Sequence, residues 1–169
     1  APLHGLIWRK NFETIVNAYL KWAKGESEER KVVVIYSSMY GCVEEAISIA
    51  IKELEKNNYH PFVFKFTDKH QSSISNLLGE VIDAEALVIA TSTYDADVFP
   101  LIHYIVNLIS KKASADKPVL VLSAYGWGGI AGRKIAQILS EAGFKIIESI
   151  DFRGKPRGEV VDKIRKGVG

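Results

Sequence analysis

Apolar positions along the chain switch between two periods. From residue 12 to 24 they recur at helical spacing (Phe12, Ile15, Val16, Tyr19, Leu20, Ala23), and Gly25 follows as a stop, so an amphipathic helix opens the reading. The polar stretch "GESEERK" reads as a connector. Continuous apolar runs of strand length then begin: "KVVVIY", "HPFVFKF", "ALVIAT", "KPVLVLSA" and "KIIESI". Helical patterns separate them. "VEEAISIAIKELEKNN" carries Val43, Ile47, Ala50 and Leu54 on one face. "QSSISNLLGEV" is short, and "PLIHYIVNLISKK" has Pro100 near its start. "IAGRKIAQILSEAG" gathers Ile135, Ile138, Leu139 and Ala142, and "GEVVDKIRKGV" closes the chain. Five buried-type strands alternating with helices predict right-handed crossovers and a sheet covered on both faces. The expected class is α/β, a doubly wound five-stranded parallel sheet of order 2-1-3-4-5.

Composition narrows the possibilities without adding chemistry. At 169 residues and 47% hydrophobic the chain can bury an ordinary core. No apolar run approaches the thickness of a bilayer, and "APLHGLIWRK" lacks the basic-then-apolar order of a signal peptide, so the expected address is cytoplasmic, with no membrane partner. A single cysteine, Cys42, excludes a disulfide framework and a thiolate cluster, and the four histidines show no ligand spacing; no metal site is expected in this chain. The net charge of +2 comes from interspersed signs, with no basic stripe for nucleic acid.

In an open doubly wound sheet, ligands bind outside the carboxyl ends of the strands, at the point where strand order reverses. Those ends carry three loops, "SSMYGC" after the first strand, "TSTYDAD" after the third and "SAYGWGG" after the fourth, all rich in Gly, Ser, Thr and aromatics. The opposite ends, "HP", "DAEA" and "ADKP", are not. In "SSMYGC" the hydroxyls of Ser37 and Ser38 and the amides up to Cys42 could surround a phosphate at a helix N-terminus. The same residues would equally end a strand and cap a helix. The segment is neither a Walker loop nor a G-x-G-x-x-G fingerprint, so a phosphate there would belong to a mononucleotide. Tyr94, Tyr125 and Trp127 stand in otherwise small polar segments, against which a flat conjugated ring could lie, with the amides of Gly126, Gly128 and Gly129 reaching its heteroatoms.

These three segments, read as "SSMYGC", "TSTYDADVFP" and "SAYGWGGIAGRKI", resemble the flavin-binding loops of the flavodoxin-like domain in flavodiiron proteins, also called A-type flavoproteins, over roughly residues 30 to 165. "LHGLIW" is similar to the segment in which that family's metallo-β-lactamase-like domain ends, and His4 matches its last diiron ligand. The resemblance implies two parts: residues 1–29, the end of that preceding domain with a connecting helix, and residues 30–169, a flavodoxin-like domain. It implies FMN as cofactor. Ser37, Ser38, Met39, Tyr40, Gly41 and Cys42 would hold the phosphate; Thr91, Ser92, Thr93, Tyr94 and Asp95, with Tyr125, Gly126, Trp127, Gly128 and Gly129, would hold the ring. Two departures stand out. Cys42 and Val43 replace the usual Asn-Thr, so a hydroxyl donor to the phosphate is missing at 43, and Ser92 stands where proline is usual.

By the same resemblance, rubredoxin or a flavin reductase would supply electrons, and a diiron domain of the same or a partner subunit would receive them and reduce oxygen or nitric oxide. The expected role is that of an FMN electron-transfer domain with no acid-base catalyst of its own, which does not turn over alone and is homo-oligomeric only in the full-length protein. Two other readings stay open: a docking module that has lost its flavin, and a free-standing flavin-dependent quinone reductase.

Overall fold

A computed structural model describes residues 7–113 and 116–169. His4 and most of "LHGLIW" lie outside the described residues. Among the described residues thirteen elements follow one another: α1 (Phe12–Lys24), β1 (Lys31–Tyr36), α2 (Cys42–Lys56), β2 (His60–Thr67), β3 (His70–Gln71), α3 (Ile74–Ile82), β4 (Ala86–Tyr94), β5 (Asp97–Val98), α4 (Pro100–Lys112), β6 (Pro118–Tyr125), α5 (Ala131–Glu141), β7 (Lys145–Arg153) and α6 (Glu159–Val168).

The five long strands run parallel in the order β2-β1-β4-β6-β7, which is the expected 2-1-3-4-5. Two short antiparallel strands extend the expectation: β3 folds back on β2, and β5 on the end of β4. They also move element boundaries. Gln71 is drawn into β3, so α3 starts at Ile74, where the Ser73 hydroxyl accepts the Asn76 amide. β4 continues three residues past the apolar run, because Thr93 and Tyr94 find partners in β5.

Strand alternation divides the core into two layers. Val33 and Ile35 face α3, α4 and α5 with Ile89, Val121, Ile102 and Ile135, while Val32 and Val34 face α2 and α6 with Val43, Ile47, Leu122 and Ile164. The central strands β1, β4 and β6 are therefore dry on both faces, whereas the edge strands β2 and β7 stay partly exposed. At the amino end of the sheet two lysines are buried. Lys31 is bonded by Asp83 and Glu80, each at 2.6 Å, and Lys117 donates to the Ala84 carbonyl at 2.6 Å. Burial works against the charge of Lys31, but its hydrogen bonds to Asp83 and Glu80 outweigh it and hold the ammonium above its ordinary value. Burial pushes the Lys117 ammonium down.

The first helix differs from the rest. α1 has the predicted amphipathic face, closed by Gly25 in the left-handed conformation, yet none of its residues is buried, and Phe12, Val16, Tyr19 and Leu20 are exposed. Among the described residues no helix is long and apolar enough to cross a membrane.

Candidate functional site

β1 and β4 sit side by side at the reversal of strand order, one continuing into α2 on one face and the other into the β5 turn and α4 on the other. The diverging connections open a crevice at the carboxyl end of the sheet.

The first segment shapes one end of it. Ser37 is 2% exposed, and its hydroxyl lies 3.0 Å from that of Thr91, itself fully buried; the pair fastens β1 to β4 beneath the crevice instead of facing it. The Ser38 hydroxyl accepts the Gly41 amide at 3.1 Å and closes the loop on itself. Gly41, at φ +79°, makes the left-handed turn into α2 that a side chain would strain. Among the described residues no side chain caps α2, so the amides of its first turn, which have no intrahelical partner, gain no side-chain one. Positive dipole and free donors coincide there. Val43 corrects the sequence reading: it is 1% exposed and packs with Val32, Val34 and Tyr36, so a hydroxyl at 43 would enter this apolar layer and not the crevice.

The second segment is the end of a strand and a tight turn, not a loop. Ser92 pairs with Ala124 of β6. The Thr93 hydroxyl accepts the amides of Ile130 and Ala131, both at 3.3 Å, and so caps α5 from a neighbouring element. Tyr94 meets Phe99 edge-on at 5.9 Å. Asp95 and Ala96, at φ 48° and 55°, form the two-residue turn into β5. Asp97 is paired with Lys134 at 2.9 Å and accepts the Val98 amide at 2.7 Å; the lysine first and then the amide hold its carboxyl below the usual range.

The third segment supplies an aromatic flank. Tyr125 ends β6, and Trp127 projects with 99% of its surface exposed. Gly126 and Gly128 face open space, whereas a Cβ at Gly129 would come within 2.8 Å of the Tyr125 ring. Gly129 therefore lets the backbone pass close against Tyr125 and does not open onto the crevice.

Together these segments line a groove of about 440 Å³, of the size that small-molecule sites occupy. Met39, Tyr40 and Cys42 form one end, Ser92 to Asp95 the floor and one wall, and Tyr125, Gly126 and Trp127 the other. Ten of the sixteen residues singled out from the sequence thus meet in one groove. Ser37 and Thr91 lie under it, Ser38 and Gly41 shape its approach, Gly129 backs Tyr125, and Gly128 stands beside it. Two lining residues were missed, Ala124 and Gly154. The Gly154 amide donates to the Tyr125 carbonyl at 3.0 Å with φ +66°, bringing the end of β7 to the groove. The glycine and proline cluster "RGKPRG" was the available signal for it.

Several features fit a flavin mononucleotide. The groove is mostly apolar with aromatics on either side, suiting a flat ring; glycine backbone at 126 is open to it; and uncapped helix amides at one end suit a phosphate. Among the described residues no three His, Cys, Asp or Glu side chains gather as a metal-binding group.

Comparison with known proteins gives a consistent picture. The flavodoxin family profile matches residues 34–166. A solved flavo di-iron protein from Thermotoga maritima superposes with a TM-score of 0.86 at 38% identity, over 98% of this chain and 41% of its own. A nitric oxide reductase from Moorella thermoacetica is 29% identical over 161 residues, covering 94% of this chain and 39% of that protein. An anaerobic nitric oxide reductase flavorubredoxin from Enterobacter is 26% identical over 169 residues, covering 98% of this chain and 34% of that protein. The chain spans about a third to two fifths of the length of these relatives, and the part it matches is their flavodoxin-like one.

Proposed function

Because this chain belongs to the flavodoxin family, whose membership indicates FMN as cofactor, we propose that it is the FMN-binding electron-transfer domain of a flavodiiron-type oxygen or nitric oxide reductase. The observation that carries this reading is the groove at the strand-order reversal, into which three separate segments bring aromatic rings, open glycine backbone and uncapped helix amides. Bound there, FMN supplies one- and two-electron chemistry, and the protein supplies position and environment. Tyr94, Tyr125 and Trp127 hold the ring; Met39, Tyr40 and Cys42 close the phosphate end; the Ser37–Thr91 pair and the Thr93 cap hold the segments in register beneath it. Trp127 and Tyr40, at 99% and 89% exposure, leave one flank of the groove at the surface, where a redox partner can approach.

In this reading rubredoxin or a flavin reductase delivers electrons, and a diiron domain of the same or a partner subunit accepts them, in an assembly that is oligomeric only at full length and cytoplasmic. Residues 1–29 are then the end of the preceding metallo-β-lactamase-like domain and the helix that joins it. The open apolar face of α1 supports this, since a helix with that pattern ordinarily packs on something.

Reconstitution tests the reading. The chain is titrated with FMN while flavin absorbance and fluorescence are followed; saturation at one flavin per chain is expected, with the bound flavin reducible. Absence of flavin uptake overturns it in favour of a docking module, and sustained NAD(P)H-driven quinone reduction by the chain alone overturns it in favour of a quinone reductase.

A further inference from the structure

The first turn of α2 contains a conflict. A helix start that receives a phosphate is stabilised by free amides and opposed by nearby anions, yet this one carries Glu44 and Glu45. Glu44 is close to the opening itself: its Oε2 lies 3.9 Å from where a Cβ on Gly41 would stand. Each carboxylate is met by a lysine from a different part of the fold. Lys65, on β2, bonds Glu44 Oε1 and lies 5.8 Å from the Tyr36 ring centre. Lys155, in the turn after β7, lies 2.9 Å from Glu45 Oε2 and follows Gly154, which lines the groove. The Glu44 hydrogen bond is the chief reason that the Lys65 ammonium is held above its ordinary value.

We propose that Lys65 and Lys155 are positioning residues that select phosphate-bearing flavin, by neutralising the two carboxylates that would otherwise repel a dianion at the start of α2. This rests on the reading above, in which the phosphate lies at that helix start. Each pair is formed between elements distant in the chain, so the neutral surround exists only in the folded sheet. Removing a lysine uncovers one anion beside the phosphate; removing its carboxylate partner as well restores neutrality. The interaction is one of charge near the surface, so salt screens it.

The test compares FMN with riboflavin, which lacks the phosphate, by fluorescence titration of the full chain at low and high salt. Lys65→Met is expected to weaken FMN roughly three- to tenfold at low salt, the scale of one added charge acting on a dianion through several ångströms of wet surface. Lys155→Met should act in the same direction. Lys65→Arg should bind as the parent does, and Lys65→Met with Glu44→Gln should return most of the affinity. Glu44→Gln alone should tighten FMN, and riboflavin should stay level throughout. A loss shared equally by riboflavin, or no loss for FMN in either lysine variant, overturns the proposal. Should Lys65→Met fail to fold, Lys155→Met and its salt dependence decide the matter alone. A parent protein that binds the two flavins equally overturns the phosphate placement and the proposal with it; a parent that prefers FMN while its lysine variants keep that preference undiminished overturns the proposal only.

Discussion

Trp127 extends almost wholly into solvent from a segment of glycines, and nothing in the fold beneath it depends on its ring. Trp127→Ala should therefore leave the melting temperature within about a degree or two, since surface changes of this kind stay near 0.5 kcal/mol. It should weaken FMN by about 0.5–1.5 kcal/mol beyond the area lost and restore part of the flavin emission quenched by an adjacent indole; titration with fluorescence detection measures both. The neighbouring glycines separate binding from folding in another way. A methyl at Gly126 meets nothing, so Gly126→Ala should fold normally and bind FMN less well, whereas Gly129→Ala drives a Cβ into the Tyr125 ring and should lower stability by about 1–3 kcal/mol. Denaturant titration of the two apo variants distinguishes these outcomes. Val43→Thr, which looks from the family pattern like a gained phosphate ligand, buries a hydroxyl among Val32, Val34 and Tyr36 instead. It should lose about 1–3 kcal/mol of stability without tightening FMN, and an FMN-specific gain in affinity would refute the buried placement.

At the scale of elements, the hairpin of β4 and β5 forms one wall of the groove with a turn in which Asp95 and Ala96 both have positive φ. For alanine this conformation costs on the order of 1 kcal/mol that glycine does not pay. Ala96→Gly should accordingly raise stability by roughly 0.5–1 kcal/mol, less the entropy glycine adds to the unfolded chain, and a fall in the denaturant midpoint would count against the turn as described. The Thr93 hydroxyl joins two elements, since it is the only side chain among the described residues seen to accept amides at the start of α5. Much of this was readable from the pattern: each long strand and helix occupies the place the periodicity assigns, because both layers of the core demand unbroken apolar runs on the strands and one apolar face on each helix. What periodicity misses are contacts between remote segments. The cap from Thr93, the buried pairing of Ser37 with Thr91 and the arrival of Gly154 at the groove are set by which strands become neighbours, and residue type at those positions is compatible with an ordinary turn.

For the whole molecule, the two buried lysines at the amino end of the sheet give stability a pH dependence away from the candidate site. Lys117 is depressed by burial below 10.5, so the unfolded chain binds the extra proton in the alkaline range up to that value; its contribution makes the fold more stable as pH rises through the depressed value toward 10.5. Lys31, held above 10.5, contributes stability that is complete below that value and lost as pH rises through its folded-state value. Lys117→Met should remove the rising part of the alkaline profile and leave the later fall, which chemical denaturation across alkaline pH measures; an unchanged rise would mean that Lys117 is not its source. At this scale the proposed function also makes a demand: the chain loaded with FMN should reduce oxygen no faster than slow flavin autoxidation, even with added iron, and stoichiometric iron binding or rapid oxygen reduction would contradict the assignment of the diiron site elsewhere.

By itself the amino-acid sequence determined the α/β class, the strand order and the end of the sheet at which the three segments gather, because burial on both faces forces continuous apolar runs on the central strands and leaves small polar and aromatic residues where those strands end. Only the tertiary structure decided the division of labour among those residues. Ser37 and Thr91 went beneath the groove, Val43 to the core, Gly154 to the groove, and Glu44 and Glu45 were matched with lysines from β2 and the turn after β7. The physical reason is that exposure and charge balance are properties of neighbours in space, and these neighbours are up to about a hundred residues apart along the chain.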